Sequence, residues 1–112
     1  MIDYHFRNVL KPIVFDRQYS EEDSKRIMEG FIAPSMDDKW DLIYSNNELG
    51  LYRSWTGIGL YKLTFENQDG RLRIAEAYCD EQFLNDQSHE YCVKLLNWVM
   101  EFVLFGRNVD PS

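Results

Sequence analysis

At 112 residues the chain has the length of one domain, and its 45% hydrophobic content favours a folded protein over a disordered one. Nineteen acidic residues against 12 basic ones give a formal net charge of −7, which disfavours a nucleic-acid partner because phosphate contacts need a basic face. The same charge favours a basic protein partner through electrostatic steering, although acidity also keeps a small domain in solution.

The N-terminal part of the chain gives a weak signal. An edge strand or an extended arm is expected over residues 1–19, because apolar residues alternate only weakly there and Pro12 interrupts the alternation. Ser20 is the expected N-cap of a short helix, because three acidic residues follow it in the first turn. That helix must end before Pro34, since the residue preceding a proline is disfavoured in helical geometry.

Alternating apolar residues between positions 40 and 78 predict four strands of an antiparallel meander. Asn46-Asn47 suits a tight hairpin turn because asparagine tolerates positive φ, and residues 67–70 form a second strong turn signal. Gly57 marks the break between the two middle strands. Gly59 indicates a bulge or a close approach of another segment.

The last helix is expected to begin after residues 85–88 and to end at Gly106. Apolar residues cover most of its circumference, which predicts a helix buried across the sheet or partly in a dimer. The stripe expected against the sheet comprises Tyr91, Leu95, Trp98, Phe102 and Phe105. The predicted fold is therefore α+β: an antiparallel meander of about four strands, a short N-terminal helix and a long C-terminal helix on one face. Residues 1–112 form one domain, with 107–112 as a loose tail.

Several classes of chemistry are disfavoured by the sequence. There is no apolar signal segment, and the apolar end of the last helix is too short and polar to span a membrane. Two cysteines are too few for a disulfide framework, so a cytoplasmic protein with reduced thiols is expected. His89 and Cys92 lie three residues apart, but two ligands do not make a metal site. No phosphate loop, nucleophile elbow or zinc-protease motif is present, so the sequence predicts neither an enzyme nor a bound cofactor or metal.

Two acidic groups on expected loops or element ends are candidate binding sites for Lys or Arg of a protein partner. The first group comprises Asp37, Asp38 and Asp41 around Trp40, and the second comprises Asp80, Glu81 and Asp86. The simpler interpretation of the first group is a solvated turn, and a strand tryptophan such as Trp40 is more often a core residue than a partner anchor.

A basic, aromatic sheet face is the alternative candidate site. Such a face could stack and pair with a nucleotide or another phosphate-bearing small molecule, which would make the protein a binding or sensing module. The same arginines could instead line the solvent side of a one-sided sheet. The residues of this alternative ligand-binding site are Arg53, Trp55, Arg71 and Arg73.

Residues 37–65 carry D-K-W at 38–40, R-S-W-T-G at 53–57 and an aliphatic-Tyr pair at 60–61. This pattern resembles a group of small bacterial proteins of unassigned chemistry, and small acidic domains of this kind also resemble immunity proteins. Those proteins neutralise interbacterial toxins by plugging the active site. The resemblance implies a protein toxin as partner, with an ADP-ribosyltransferase or another NAD-using toxin preferred, and neither nucleic acid nor membrane. It carries over no catalytic residue. The free protein is expected to be a monomer or a weak homodimer.

Overall fold

The structure is a computed structural model that describes residues 2–35 and 39–107. Its elements are β1 (Leu10–Ile13), α1 (Glu21–Glu29), β2 (Trp40–Ser45), β3 (Glu48–Arg53), β4 (Gly59–Gln68), β5 (Arg71–Asp80), α2 (Glu81–Asp86), α3 (His89–Trp98) and a π-helical turn (Val99–Leu104). The strands form one antiparallel sheet in the order β1-β5-β4-β3-β2. The predicted α+β class is confirmed, with five strands where about four were expected. Within the described ranges no helix has the length and apolar character needed to cross a membrane.

The additional strand comes from the N-terminal segment. β1 pairs with the outer side of β5, with Leu10 opposite Asp80 and Ile13 opposite Ala77. Pro12 lies inside β1, which an edge strand tolerates because its outer side needs no N–H donor. Residues 2–19 therefore contain both of the forms that the sequence allowed, an arm followed by an edge strand.

Two hairpin turns set the register of the meander. Asn46 and Asn47 have φ angles of 53° and 62°, and Asp69 and Gly70 have φ angles of 56° and 87°. Paired positive φ angles are typical of the type I′ turn, whose twist matches that of the flanking strands. Both predicted turns are confirmed, and each joins its strands without further loop residues.

One face of the sheet is apolar and carries the helices. Its side chains alternate with polar ones along each strand and join Ile27 of α1 in a single core cluster. The buried sheet residues are Trp40, Leu42, Leu49, Leu51, Tyr61, Leu63, Phe65, Leu72, Ile74, Ala77 and Cys79. The core therefore lies between the sheet and the helices, and the opposite face remains for the N-terminal segment.

The C-terminal helix packs on the core with only part of the stripe that was expected to face it. Tyr91 and Phe102 are 47% and 46% exposed, whereas Leu95, Trp98 and Phe105 are partly buried and pack against the core. The fully buried positions are Cys92, Leu96, Val99, Met100 and Leu104. The prediction was wrong for Tyr91 and Phe102, because apolar residues surround this helix and periodicity could not select a face; packing on the sheet does. The helix is also shorter than expected, since α3 has 10 residues and the π-helical turn six.

Side-chain caps begin α1, α2 and α3. The Ser20 hydroxyl accepts a hydrogen bond from the Asp23 backbone N–H at 3.1 Å, as predicted. The sequence did not predict α2, which begins because the Asp80 carboxylate accepts from the Phe83 N–H at 2.9 Å. Ser88 caps α3 in the same way. Asp80 therefore ends the sheet, as expected, and starts a helix as well.

The N-terminal arm, residues 2–9, crosses the face of the sheet opposite the helices. The His5 N–H donates to the Gly57 carbonyl at 2.9 Å, and the Gly59 N–H donates to the His5 carbonyl at 2.7 Å. The Phe6 ring lies where a side chain of Gly59 would be, 2.5 Å from an ideal Cβ position. The close approach predicted at Gly59 is therefore confirmed, and the arm is the segment that approaches.

Candidate functional site

The first acidic group does not form a surface patch in the described part of the chain. Asp41 lies inside β2 and is only 2% exposed. Its carboxylate accepts hydrogen bonds from the Tyr4 hydroxyl at 2.6 Å and from the Ala33 backbone N–H at 2.8 Å. Asp41 therefore fastens the N-terminal arm and the segment after α1 to the sheet. Its neighbours in the group, Asp37 and Asp38, lie outside the described residues.

The second acidic group is divided between the interior and the surface. Asp80 is buried, and besides capping α2 it accepts from the Asn8 amide at 3.0 and 3.3 Å. Glu81 is partly exposed and lies 3.8 Å from the Lys11 ammonium, while Asp86 is exposed at the end of α2. Of the three, Glu81 and Asp86 remain accessible to a partner.

The four residues of the basic, aromatic candidate site lie in two separate places. Arg53 ends β3, whereas Arg71 begins β5 at the other end of β4, whose 10 residues span roughly 30 Å. Arg71 and Arg73 also point away from the core, since Leu72 between them is buried. The Arg73 guanidinium is paired with Glu66 at 2.7 Å. One small ligand cannot contact both places, so the site is not formed as expected.

The Arg71 end has a concavity of about 440 Å³, lined in part by Gln18, Ser20 and Gln68. Glu66 already offsets the charge of Arg73 there, and the acidic first turn of α1 begins beside Ser20. A phosphate group would therefore meet little net positive charge. This end of the sheet is the weaker of the two candidate sites.

Trp55 is 64% exposed on the loop of residues 54–58, the Trp55 loop, which joins β3 to β4. Within the loop, the Gly57 N–H donates to the Arg53 carbonyl at 2.8 Å, and the Arg53 N–H donates to the Ile58 carbonyl at 2.9 Å. The φ angle of Gly57 is 75°, a conformation that glycine adopts without strain. The chain therefore reverses in a closed, hydrogen-bonded turn with the indole near its tip.

Neighbouring segments hold the Trp55 loop from both sides. The Ser54 N–H donates to the Lys39 carbonyl at 3.0 Å, which ties the loop to the segment entering β2. On the other side the N-terminal arm binds it through the hydrogen bonds of His5 with Gly57 and Gly59. These bonds restrict the loop backbone, so Trp55 is displayed on a prearranged support.

A pocket of about 290 Å³ lies beside Trp55, lined also by Lys39, Arg53, Ser54 and Thr56. The Arg53 guanidinium lies over the Trp40 ring, 4.6 Å from its centroid, which is cation–π geometry. Trp40 is buried, so it forms the support beneath Arg53 and cannot act as the partner anchor that the sequence suggested. Burial lowers the pKa of Arg53, but an arginine remains protonated at neutral pH.

Sequence reasoning missed Tyr91 as a member of this surface. Tyr91 follows the N-terminus of α3, is half-exposed and is an electrostatic neighbour of Arg53. It was assigned to the buried stripe because its apolar spacing matched that of the helix. The exposure of Tyr91 depends on how α3 packs on the sheet, and no local pattern in the sequence carries that information.

The described residues do not assemble a catalytic or metal-binding cluster. No group of three His, Cys, Asp or Glu side chains among them could hold a metal ion. Cys79 and Cys92 are fully buried, and burial raises the pKa of both thiols, which opposes formation of the reactive thiolate. His89 is exposed whereas Cys92 is in the core, so this pair does not share a surface.

Comparisons of the chain with protein-family models, with curated proteins and with solved structures found no match.

Proposed function

We propose that this protein is an immunity protein that binds a cognate bacterial toxin and occludes its active site, without catalysing a reaction. The small size and the net charge of −7 resemble those of immunity proteins, and the D-K-W and R-S-W-T-G motifs resemble small bacterial proteins of unassigned chemistry; both resemblances support the class. The observation that carries the proposal is the 64% exposure of Trp55 on a loop that hydrogen bonds hold to Lys39 and to the N-terminal arm.

The residues around this loop are of the types that dominate binding energy at protein interfaces. Trp, Tyr and Arg are enriched among interface hot spots, and Trp55, Tyr91 and Arg53 supply one of each. Covering an exposed indole contributes about 1.5–3 kcal/mol from apolar burial. A loop that is already ordered loses little conformational entropy on binding, so more of that energy appears as affinity.

The shape and charge of the molecule fit occlusion of a basic cleft. A projecting loop can enter a concave active site that a flat sheet cannot enter. A toxin that uses NAD must hold phosphates, so Lys or Arg is expected in its cleft, and a net charge of −7 would speed association with it. Glu81 and Asp86 lie on α2, which follows β5 at the end of the sheet that bears the Trp55 loop. An ADP-ribosyltransferase or related NAD-using toxin is therefore our preferred partner.

Co-expression with candidate toxins tests the proposal. The wild-type protein should rescue cells from one NAD-using toxin and bind it in a 1:1 complex, with no turnover of NAD by the protein itself. Trp55→Ala should weaken binding by at least about tenfold, the loss expected for a hot-spot side chain. Phe102→Ala is the matched control, since Phe102 is a similarly exposed aromatic residue outside the Trp55 loop. Equal binding by both variants would contradict the assignment of Trp55.

A small-molecule sensor is the second candidate, because the pocket beside Trp55 combines an indole with Lys39 and Arg53. Its volume of about 290 Å³ is at the lower limit of ligand pockets, which run from roughly 300 to 1,000 Å³. A nucleotide would therefore remain largely outside it, and this favours the protein partner. Calorimetric titration with ADP-ribose and ADP separates the two functions, since saturable micromolar binding would favour the sensor.

A further inference from the structure

Arg53 combines partial burial with the absence of a carboxylate partner in the described part of the chain. The ion pairs there join acids to Lys11, Arg73, Lys94 and Arg107, and none of them includes Arg53 or Lys39. This is unusual for a half-buried cation in a chain with 19 acidic residues against 12 basic ones. Arg53 and Lys39, which have no ion-pair partner among residues 2–35 and 39–107, both line the pocket beside Trp55.

The contact with Trp40 satisfies only part of the guanidinium. An indole face interacts with the plane of the group, whereas its five N–H donors point outward from the edge. Donors that have lost part of their hydration gain from an anionic acceptor more than fully hydrated ones do. Within the described residues no side chain supplies that acceptor, so the pocket is suited to an acceptor from outside.

We propose that the pocket beside Trp55 receives a carboxylate side chain, Asp or Glu, of the protein partner, with Arg53 as its recognition residue and Lys39 as a second cation. This inference rests on the proposed function and specifies the chemistry of the partner. A guanidinium fork matches a carboxylate through two parallel hydrogen bonds, which gives orientation as well as attraction. The partner then presents one acid within an otherwise basic surface.

Two observations favour a carboxylate side chain over a polyphosphate. The pocket of about 290 Å³ accommodates a carboxylate and its short stem, with Trp55 covering the stem. The net charge of −7 repels a molecule that carries several negative charges, but a single acid in a basic surface is attracted as part of that surface. The local charge of the pocket is thus opposite to that of the molecule, which favours one docking register.

NMR titration with blocked amino acids tests the pocket without the toxin. N-acetyl-glutamate amide should shift the Arg53 Nε–H and Trp55 indole resonances, and the neutral N-acetyl-glutamine amide should not. The response should disappear in Arg53→Gln and persist in Arg71→Gln, the matched loss of an exposed arginine at the other end of the sheet. Equal responses to the two amides, no response to either, or a response to ADP alone would overturn the inference.

Binding to the toxin that the wild-type protein neutralises separates this inference from the proposed function. Arg53→Gln should weaken the complex roughly 10- to 100-fold, and Arg53→Lys should weaken it less, since lysine keeps the charge but not the fork. An unchanged affinity in both variants would reject the carboxylate pocket and leave the immunity function standing. If the pocket discriminates the glutamate amide from the glutamine amide but the protein neutralises no toxin, the immunity function would be rejected and the carboxylate pocket would stand.

Discussion

Asp41 connects three segments of the chain through one carboxylate. It lies in β2, accepts from Tyr4 of the N-terminal arm, and accepts from the Ala33 N–H after α1. A buried carboxylate with two donors organises its surroundings, because removing it leaves both donors without an acceptor. The Asp41 carboxylate, which the sequence suggested as a partner contact, therefore stabilises the fold from inside.

Replacing Asp41 tests this structural role. Asp41→Ala should reduce the free energy of unfolding by about 2–3 kcal/mol, because the Tyr4 hydroxyl and the Ala33 N–H lose their common acceptor. Asp41→Asn keeps an acceptor oxygen of the same size and should cost less. Urea unfolding monitored by circular dichroism measures both. Similar stability in Asp41→Ala and the wild type would show that these bonds contribute nothing net.

The hydrogen bond to Asp41 also predicts an alkaline transition. It raises the pKa of Tyr4 from 10.0 to about 12, because the neutral hydroxyl donates to the carboxylate. The contribution of this hydrogen bond to the free energy of unfolding is fully present below pH 10 and is lost as the pH rises towards 12. The stability difference between the wild type and Tyr4→Phe should therefore shrink over this range in urea titrations. A difference that is the same at pH 8 and near pH 12 would contradict the assignment.

At the scale of the element, the C-terminal helix illustrates how packing selects one face of an apolar helix. Cys92, Leu96 and Val99 are fully buried on the core side, whereas Tyr91 and Phe102 are half-exposed. The Tyr61 hydroxyl donates to the Cys92 carbonyl at 2.7 Å, which fixes the rotation of the helix on the sheet. The half-exposed side then becomes available for contacts outside the core.

A pair of substitutions distinguishes the two sides of α3. Leu96→Ala should cost about 2–5 kcal/mol, since it leaves a cavity in the core. Tyr91→Ala should change stability by less than about 1 kcal/mol, because its side chain is half-exposed. Thermal or urea unfolding measures both variants. A larger loss in Tyr91→Ala than in Leu96→Ala would restore the stripe that hydrophobic spacing predicted.

At the scale of the whole molecule, the arm, the sheet and the Trp55 loop form one connected support. The arm reaches the loop through His5 and reaches the edge of β2 through Tyr4. The Tyr4 ring also packs against that of Tyr52 in β3, with centroids 5.1 Å apart. A segment remote in sequence therefore holds the proposed binding loop in place.

Removing residues 1–6 tests this coupling by hydrogen exchange. The Gly59 amide loses its acceptor, the His5 carbonyl at 2.7 Å, so its exchange should accelerate. The Phe65 amide is the control, because it donates to the Asn47 carbonyl at the other end of the sheet. Toxin binding should weaken in parallel, since the Trp55 loop becomes less ordered. Unchanged exchange at Gly59 would show that the loop is ordered without the arm.

The sequence by itself determined the local features of this protein. Positive φ at Asn46-Asn47 and residues 69–70, the Ser20 cap and the alternation of the strands all depend on residues close together in the chain. Such preferences act within a few residues, so composition and spacing report them. The fold class and four of the five strands followed from these signals, and so did the motif that contains Trp55.

Only the tertiary structure decided which of the candidate residues are exposed and which are close together. It placed Asp41 and Asp80 inside, separated Arg53 from Arg71 along β4, and left Trp55 exposed beside Arg53. Each outcome depends on contacts between distant segments: the arm across the sheet, α3 on β4, and β1 on the edge of β5. The free energy of those contacts comes from packing and paired hydrogen bonds across the whole core, which no short stretch of the chain encodes.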